Sequence, residues 1–377
     1  MHKLTFFPLG NADSCRVDLE NGRKLLVDYA ATRDLTKTDD RRCDLPTLLR
    51  EDLDEADRND FDVVAFTHLD EDHYKGASQF FYLEHASKYQ DDDRVRISEL
   101  WVPAGFLLEE LGSGATEEAR ILRSEARYRF GIKKRIRILG RPKLLEKYCE
   151  KQGISLADRE HLITDAGQAV PGFSIEGDGL EIFVHSPFAY RMDDDLEDRN
   201  KNSFMCQARF SVSKENTDVL LLNDADHEAL RDIVRATKRH GNHSGLCWHV
   251  LKVPHHCSYK SIGPDRGRAK TEPQDEEISW LYKDQQHQPG ILVSSSRPIP
   301  DPGTPDDNDQ PPHRQAAAYY RDALDDPRDF HVTMSHPPGI KKPRPLAISI
   351  DDQGPTLVKE TVAASAAIVS SRGERQG

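Results

Sequence analysis

Short apolar runs separated by polar turns recur along the chain, and they predict mainly β-strands. In the first part of the chain the predicted strands are residues 4–7, 14–19, 23–28 and 61–67. Asn21-Gly22 separates the second strand from the third and is a strong signal for a β-hairpin. The run 61–67 is short and largely apolar, as expected for a strand that is buried on both faces. Further strands are predicted at residues 100–102, 180–184, 204–212, 219–222, 248–253, 330–334 and 346–350.

Helical spacing predicts helices at residues 78–90, 119–128, 228–238 and 314–324. The alternation of groups of strands with groups of helices predicts a layered α/β sandwich. Residues 107–160 combine helical spacing with a run of basic residues, and they are predicted to be a helical insertion. Their basic stretch, Lys133 to Lys143, is either a phosphate-binding face or an ordinary solvated face. Residues 297–313 predict a surface loop, and residues 356–377 a flexible C-terminal tail.

Composition and charge narrow the function classes. The chain has 377 residues, of which 37% are hydrophobic and 31% charged, so it can bury a sizeable core. No apolar run approaches the ~20 residues that span a bilayer, and no signal peptide is recognised at Met1, so we expect a cytoplasmic protein without membrane contact. The six cysteines show no CxxC pair. A net charge of -13 opposes non-specific binding of nucleic acid.

Candidate metal ligands are concentrated directly after the predicted strand 61–67. His68, Asp70, Asp72 and His73 lie within six residues, followed by Gly76. Imidazole nitrogens and carboxylate oxygens are the ligands that hold zinc, manganese or iron. The alternative is a solvated acidic turn. So many acidic side chains at the end of a buried strand favour a site in which a cation neutralises them.

Two further strand ends carry the same residue types. Asp224 follows the predicted strand 219–222, where it is either a metal ligand or the N-cap of the next helix. His255 and His256 follow the predicted strand 248–253, and each is either a ligand or a structural histidine. Three separate strand ends that each deliver His or Asp are unlikely to arise by chance, so we expect these side chains to converge.

Together these motifs resemble the metallo-β-lactamase fold, and more narrowly the soluble domain of ComEC-type DNA-uptake proteins. The residues that carry the resemblance are 9–14, 25–28, 68–73, 200–203, 223–225, 253–258, 292–294, Asn308 and 311–313. The resemblance covers residues 4 to about 350, with 107–160 unmatched. It implies one domain over residues 1–355, an αββα sandwich with a helical insertion.

The resemblance also implies a ligand set. His68, Asp70, Asp72 and His73 match the first metal motif, Asp224 the bridging aspartate, and His256 the last ligand, with His255 as its competitor. Asn200 and Ser203 match the position of a third histidine. His185 matches a variable position, where the alternative is a strand-end histidine bonded to backbone. Three residues depart from the family pattern: Asn223 and Cys257 replace glycines, and Pro311 replaces a histidine.

The function implied by the resemblance is hydrolysis by a water molecule activated by two divalent metal ions, with zinc or manganese as candidates and magnesium as a further one. Asp72 or Asp224 would accept the proton of that water, and His313 would protonate the leaving group. Phosphodiester cleavage, as in a nuclease, is the leading reaction. A role in defence against foreign nucleic acid, alone or with a partner subunit, is an expectation from the family.

Two alternatives stay open. One is a small-molecule hydrolase that acts on a lactone, a cyclic nucleotide or a thioester, in which case the basic stretch would lie far from the metals. The other is a non-catalytic interaction protein with a weakened metal site, because Asp70 stands where the wider superfamily has a histidine.

Overall fold

The computed structural model describes residues 1–359, and within them two mixed β-sheets lie face to face. The larger sheet has the spatial order β15-β14-β1-β2-β3-β4-β5-β6-β7, and the smaller has the order β13-β12-β11-β10-β9-β8. The strands are β1 His2–Phe6, β2 Cys15–Asp18, β3 Lys24–Val27, β4 Asp60–Ala65, β5 Arg96–Pro103, β6 Ile136–Leu139, β7 Ile163–Thr164, β8 Leu180–Ser186, β9 Met205–Val212, β10 Glu215–Leu221, β11 Trp248–Lys252, β12 Gln286–Ser294, β13 Phe330–Val332, β14 Leu346–Asp351 and β15 Gly354–Leu357.

Helices cover the outer face of each sheet. They are α1 Leu45–Glu55, α2 Glu71–Tyr74, α3 Ala77–Phe80, α4 Ala104–Leu108, α5 Glu117–Ile132, α6 Lys143–Gln152, α7 Ile175–Asp178, α8 Ala189–Asp194, α9 His227–Arg239, α10 Glu276–Ser279 and α11 Arg314–Ala323. Apolar side chains of α1, α3, α4, α5 and α6 pack on the larger sheet, and those of α9, α10 and α11 pack on the smaller one. The architecture is therefore the αββα sandwich that the sequence predicts.

The sequences of the central strands are apolar on both faces because both faces of these strands are buried. In β10, Val219 and Leu221 point into the core between the two sheets, whereas Leu220 packs under the helices. β4 shows the same alternation, with Val63 in the core between the sheets and Val64 in the helix-covered core. Successive side chains of a strand point to opposite faces, so a strand in the middle of a four-layer fold needs apolar residues at both.

The parallel strands of the two sheets place the candidate residues at one edge. β3, β4, β5, β6 and β7 are parallel neighbours in the larger sheet, and β10, β11, β12 and β13 are parallel neighbours in the smaller sheet. The metal motif follows β4, Asp224 follows β10, and the histidine pair follows β11. Ligands of open α/β sheets are held at the carboxyl ends of parallel strands, and this arrangement fits that rule.

The predicted helix 78–90 is mostly wrong. Only α3, Ala77–Phe80, is α-helical there; Phe81 forms an isolated bridge with Val95, and a 3₁₀ turn occupies Ser87–Tyr89. The bridge places this segment beside the start of β5, and the backbone bond from Leu83 N to Tyr89 O (3.0 Å) closes a loop within it. Its apolar residues reach the core from an irregular chain path, which helical spacing alone does not distinguish.

Residues 107–160, predicted to be an insertion, contribute α5, β6 and α6. β6 pairs in parallel with β5, Leu100 opposite Ile136, so this segment extends the larger sheet. The predicted tail begins inside β15, which includes residues 356 and 357, and residues 360–377 lie outside the described part of the chain. Among the described residues, no helix combines the length and the apolar character required to cross a membrane.

Candidate metal centre

Four buried side chains converge where β4, β10 and β11 end: Asp13, His73, Asp224 and His256. Each offers one ligand atom, and these atoms lie within 4.8 Å of one another. Asp13 comes from the loop between β1 and β2, so both sheets contribute to the group. His73 Nε2 lies 3.4 Å from Asp224 Oδ1 and 3.8 Å from Asp13 Oδ2. The structure thus brings three of the predicted ligands together with a fourth residue, Asp13, to which the sequence analysis assigned no role.

Asp224 stands between two sets of histidines. Its Oδ1 faces His73, whereas its Oδ2 lies 4.0 Å from His68 Nε2 and 3.9 Å from His255 Nε2. The rings of His68 and His73 are 4.0 Å apart between centroids. A carboxylate with one oxygen toward each set has the geometry expected of the predicted bridging aspartate. His255 and His256 both approach the centre, on different sides of it.

A chain of hydrogen bonds orients the two histidines of the first motif. Asp28, directly after β3, accepts His73 Nδ1–H at 2.7 Å and the Thr67 hydroxyl at 2.8 Å. The Thr67 hydroxyl oxygen in turn lies 3.0 Å from His68 Nδ1. With both Nδ1 atoms engaged, the Nε2 atoms of His68 and His73 point into the centre. Carboxylates that accept the Nδ1–H of a histidine, and so fix which ring nitrogen is left to bind metal, are typical of metal sites.

The unsatisfied atoms of this centre fit a cation. His68 Nε2, His73 Nε2, Asp224 Oδ1 and Asp13 Oδ1 are all buried and have no hydrogen-bond partner in the described structure. A buried polar atom without a partner costs about 1–3 kcal/mol. Imidazole nitrogens and carboxylate oxygens that share this defect and face one another are a donor set for a divalent metal ion. The group could therefore hold such an ion.

The charges of the centre favour a positive charge at its middle. Burial alone would lower the pKa of His73, but Asp28 and Asp224 raise it well above the ordinary value. Burial alone would raise the pKa of Asp224, but His73 and His256 hold it well below the usual range. Burial also opposes the charge on His256, yet Asp72 and Asp224 raise its pKa to about 9. The raised pKa values of the two histidines report the surrounding carboxylates, and the lowered pKa of Asp224 reports its attraction to positive charge. A divalent cation would supply that positive charge.

His256 is aimed by a strained turn. His255, His256 and Cys257 all have left-handed backbone, with φ of 47°, 52° and 67°. Three consecutive non-glycine residues in this region are costly and recur at functional sites. The turn lets His256 Nδ1 donate to Ser295 O at 2.8 Å, which leaves Nε2 3.0 Å from Asp72 Oδ2. Cys257, the departure from the family's glycine, is packed in the core beneath α9 and α11 rather than in the centre.

Asp70 and Asp72 lie at the solvent side of the centre, and both carboxylates already have partners. Asp72 is bonded to His256, and its side chain is 36% exposed. Asp70 Oδ1 accepts from Arg199 Nη1 at 2.7 Å, while its Oδ2 lies 3.5 Å from His68 Nε2. Arg199 also forms a two-pronged bond with Glu109. Burial would raise the pKa of Asp70, but His68 and Arg199 hold it well below the usual range.

Three predicted residues lie apart from this group. Ser203 Oγ donates to Asn200 O at 2.8 Å, and no hydrogen bond or ion pair joins either side chain to the centre within residues 1–359. His185 Nε2 donates to Gly245 O at 2.6 Å, which is the structural alternative for a strand-end histidine. Burial lowers its pKa to about 4. His185 lies within β8 and the other two precede β9. The side chains of His185 and Ser203 bond to backbone, and their assignment as ligands, with that of Asn200, stays a prediction.

Both ring nitrogens of His313 are hydrogen-bonded to backbone. Its Nδ1 accepts from Tyr259 N at 3.3 Å, and its Nε2 donates to Asp309 O at 3.3 Å. The residue is almost wholly buried and its ring packs against Tyr259. The one ring proton of His313 is thus bonded to backbone in this structure, and the role of His313 in protonating a leaving group stays a prediction.

Three contributors were missed by the sequence analysis: Asp13, Asp28 and Lys252. Lys252 Nζ lies 2.7 Å from Asp13 Oδ2, and both are buried. A lysine at the end of an otherwise apolar strand is the signal that could have found this pair, because lysine is almost never buried unless it is paired. Asp28 ends a hairpin strand with a φ of 59°, a conformation that no sequence pattern showed.

A second group of candidate ligands, Asp218, His249 and His287, lies at the opposite ends of the same parallel strands. Arg209 already holds both Asp218 oxygens, at 2.7 and 3.1 Å. His249 Nδ1 accepts from Asp218 N, which places its proton on Nε2. The two imidazoles stack nearly parallel with centroids 4.2 Å apart, so their lone pairs do not converge. This group is a packed polar cluster without the features of a metal site.

Comparisons with known proteins give little further help. No family model matches the chain, and no curated protein matches it. Among solved structures, the chain is similar to a diphosphatase from the PhnP family, with 11% identity over 78% of this chain and 85% of that one, and a TM-score of 0.32. It is also similar to a candidate metal-dependent hydrolase from Parabacteroides distasonis, with 12% identity over 87% and 91% and a TM-score of 0.32. At these scores neither similarity carries an argument about activity. The ComEC-type branch stays a prediction from the motifs.

Proposed function

We propose that this protein is a metal-dependent hydrolase of phosphoesters, with phosphodiesters as the first candidates. The observation that carries the proposal is the buried convergence of Asp13, His73, Asp224 and His256, in which the first three each have a ligand atom without a hydrogen-bond partner. Asp224 between two sets of histidines supports a site for two ions, as in the predicted two-metal hydrolases. The acid-rich donor set suits hard cations, so manganese and magnesium compete with zinc, and hard cations bind phosphate oxygens well.

When bound, the divalent ions supply a nucleophile at neutral pH by lowering the pKa of water, and they neutralise charge on a phosphoryl oxygen. The protein's own residues divide the remaining tasks. His73 is held by Asp28 and His256 by Ser295 O. These two side chains and Asp224 are buried, so they fix positions rather than exchange protons with solvent. Asp72 is the half-exposed carboxylate beside them. We assign to Asp72 the acceptance of the proton from the attacking water.

A small phosphorylated substrate is the second candidate. Within the basic stretch, Lys133 pairs with Asp158, Arg135 with Glu84, and Arg141 with Glu160. These pairs offset three of the six basic charges of the stretch, which favours its interpretation as an ordinary solvated face over a nucleic-acid groove. The net charge of -13 points the same way. A role in defence, a nucleic-acid substrate and a partner subunit therefore remain proposals from the family resemblance.

The experiment is a hydrolysis assay on purified protein with Mn²⁺, Zn²⁺ or Mg²⁺. The substrates are single-stranded DNA, duplex DNA, a cyclic nucleotide and bis(p-nitrophenyl) phosphate. We expect metal-dependent hydrolysis that chelator abolishes and that falls by orders of magnitude in His73→Ala and Asp224→Asn. His287→Ala, an exposed histidine of the packed cluster, is the matched control and should retain full activity.

Hydrolysis that survives both chelator and His73→Ala would reject the proposal. Equal loss in His287→Ala and His73→Ala would reject the assignment of the centre. Hydrolysis of the cyclic nucleotide and the synthetic diester without cleavage of either DNA would select the small-substrate candidate.

A further inference from the structure

A cavity of about 460 Å³ adjoins the segment that carries the metal motif. Glu71, Lys75 and Gly76 form part of its wall, whereas Asp72 and His73 of the same short segment belong to the metal centre. Ala31 and Arg33 form another part of the wall. Their stretch of chain is hydrogen-bonded to the first segment, because Ala31 N donates to Lys75 O at 2.8 Å. The cavity and the metal centre therefore share one structural element.

Arg33 is the unusual residue of this cavity. It lines both the cavity and a neighbouring one of about 370 Å³. Its Nε is buried without a hydrogen-bond partner, and within the described residues its guanidinium forms no ion pair. More than half of the arginines within residues 1–359 form ion pairs, so an arginine with unused donors beside a cavity needs an explanation. The shielded Nε cannot reach the cavity, but the Nη groups of Arg33 have no bonded acceptor within residues 1–359 either, and an anion in the cavity would supply one.

The carboxylates that line the cavity are already engaged. Glu118 accepts from Gly76 N at 2.8 Å and from Ser78 N at 2.7 Å. Glu71 pairs with Lys75 at 2.8 Å. The third, Asp44, accepts from Thr47 N at the start of α1. None of these acids is bonded to Arg33, so they do not use its donors.

Arg50 adds a second cation with spare donors. Its Nη1 donates to Asp93 O at 2.6 Å, and its guanidinium lies 4.9 Å from the centre of the Phe80 ring. These contacts hold the side chain in place, and within residues 1–359 its other N–H groups have no protein acceptor. Arg33 and Arg50 thus present two planar donor groups to one cavity.

We propose that this cavity binds a phosphate group of the substrate other than the one that is hydrolysed, with Arg33 as its main ligand and Arg50 as the second. This inference rests on the proposed function for the identity of the substrate. Guanidinium groups match phosphate oxygens through paired N–H donors. The substrate class is therefore a compound with at least two phosphate groups, such as an oligonucleotide or a nucleotide that carries a terminal phosphate.

Binding of inorganic phosphate in the presence of chelator tests the cavity without the metal centre. Isothermal titration would compare the wild type with Arg33→Gln, Arg33→Lys and Arg239→Gln, the last an exposed arginine of α9 that changes the net charge equally. We expect Arg33→Gln to weaken binding about tenfold, which corresponds to about 1.4 kcal/mol. Arg33→Lys should lose less because it keeps the charge, and Arg239→Gln should bind as the wild type does. Thermal unfolding checks that each variant is folded.

Equal affinity in Arg33→Gln and the wild type would overturn the inference, and so would the absence of phosphate binding by the wild type. A second arm uses dinucleotides with and without a 5′-phosphate as substrates. Arg33→Gln should raise KM more for the phosphorylated dinucleotide than for the unphosphorylated one, and an equal rise for both would also overturn the inference. Failure of all hydrolysis would reject the proposed function, whereas the titration would still decide whether Arg33 binds phosphate.

Discussion

Lys252 Nζ lies 2.7 Å from Asp13 Oδ2, and this ion pair is almost wholly buried beside the metal centre. Lys252 ends β11 of the smaller sheet, and Asp13 belongs to the loop between two strands of the larger sheet. The pair therefore joins the two sheets at the edge where the ligands meet. Burial would raise the pKa of Asp13, but Lys252 and the nearby histidines keep it below the ordinary value.

Replacing Lys252 with Met should lower the free energy of unfolding by roughly 3–5 kcal/mol, because the buried Asp13 carboxylate loses its partner. Urea unfolding in chelator measures the change. The double variant Lys252→Met/Asp13→Leu should recover part of the loss, since neither charge is then left alone. Lys37→Met, an exposed lysine, is the control. Additive effects of the two single changes would show that the ion pair does not couple these residues.

Asp28→Asn should weaken binding of Mn²⁺ or Zn²⁺ by about 10–100-fold, the usual effect of losing a carboxylate behind a ligating histidine. The asparagine keeps the size of the side chain but loses the charge that holds His73 Nδ1–H. Isothermal titration of the metal measures the affinity, and Asp34→Asn, an aspartate outside the centre, is the control. Unchanged affinity in Asp28→Asn would mean that His73 does not need this partner to bind metal.

Arg199→Gln tests whether the arginine positions Asp70. The guanidinium holds Asp70 Oδ1 and leaves Oδ2 toward His68, so its loss should free the carboxylate to rotate. We expect metal affinity to fall about tenfold, and Arg199→Lys to recover part of it by keeping the charge. Titration of Mn²⁺ provides the measurement. Tighter metal binding in Arg199→Gln would show instead that the arginine competes with the cation for Asp70.

The sequence predicts the layers of the fold because the burial pattern of each strand follows from its position. Val219 to Leu222 is apolar at every residue, and β10 is indeed covered on both faces. The prediction of a helix at 78–90 is wrong because a residue can be buried without being part of a regular element. Phe80, Phe81 and Leu83 are buried from an irregular path, and a short apolar segment does not reveal its backbone conformation.

The same distinction applies to the centre. His73 and Asp224 follow strands, so the rule that carboxyl ends of parallel strands meet at one edge predicts their approach. Asp13 and Asp28 come from the antiparallel part of the larger sheet, where that rule gives no expectation. Their contribution depends on the pairing of distant segments and on the left-handed backbone of Asp28. Arg199 lies in the loop before β9, far along the sequence from Asp70, and only the tertiary structure shows the bond between them.

His185 provides a prediction about pH that is independent of metal. Burial lowers its pKa from 6.5 to about 4, so the unfolded chain binds a proton between these values that the folded protein does not. Stability should therefore rise with pH from about 4 to about 6.5 and be fully present above that range. His185→Gln keeps a donor for Gly245 O but cannot ionise. Urea unfolding in chelator should show that the wild type loses about 2–3 kcal/mol more than this variant between pH 7 and pH 4.5. The exposed His287→Gln should follow the wild type, and an identical pH dependence in His185→Gln would show that His185 is not held neutral by burial.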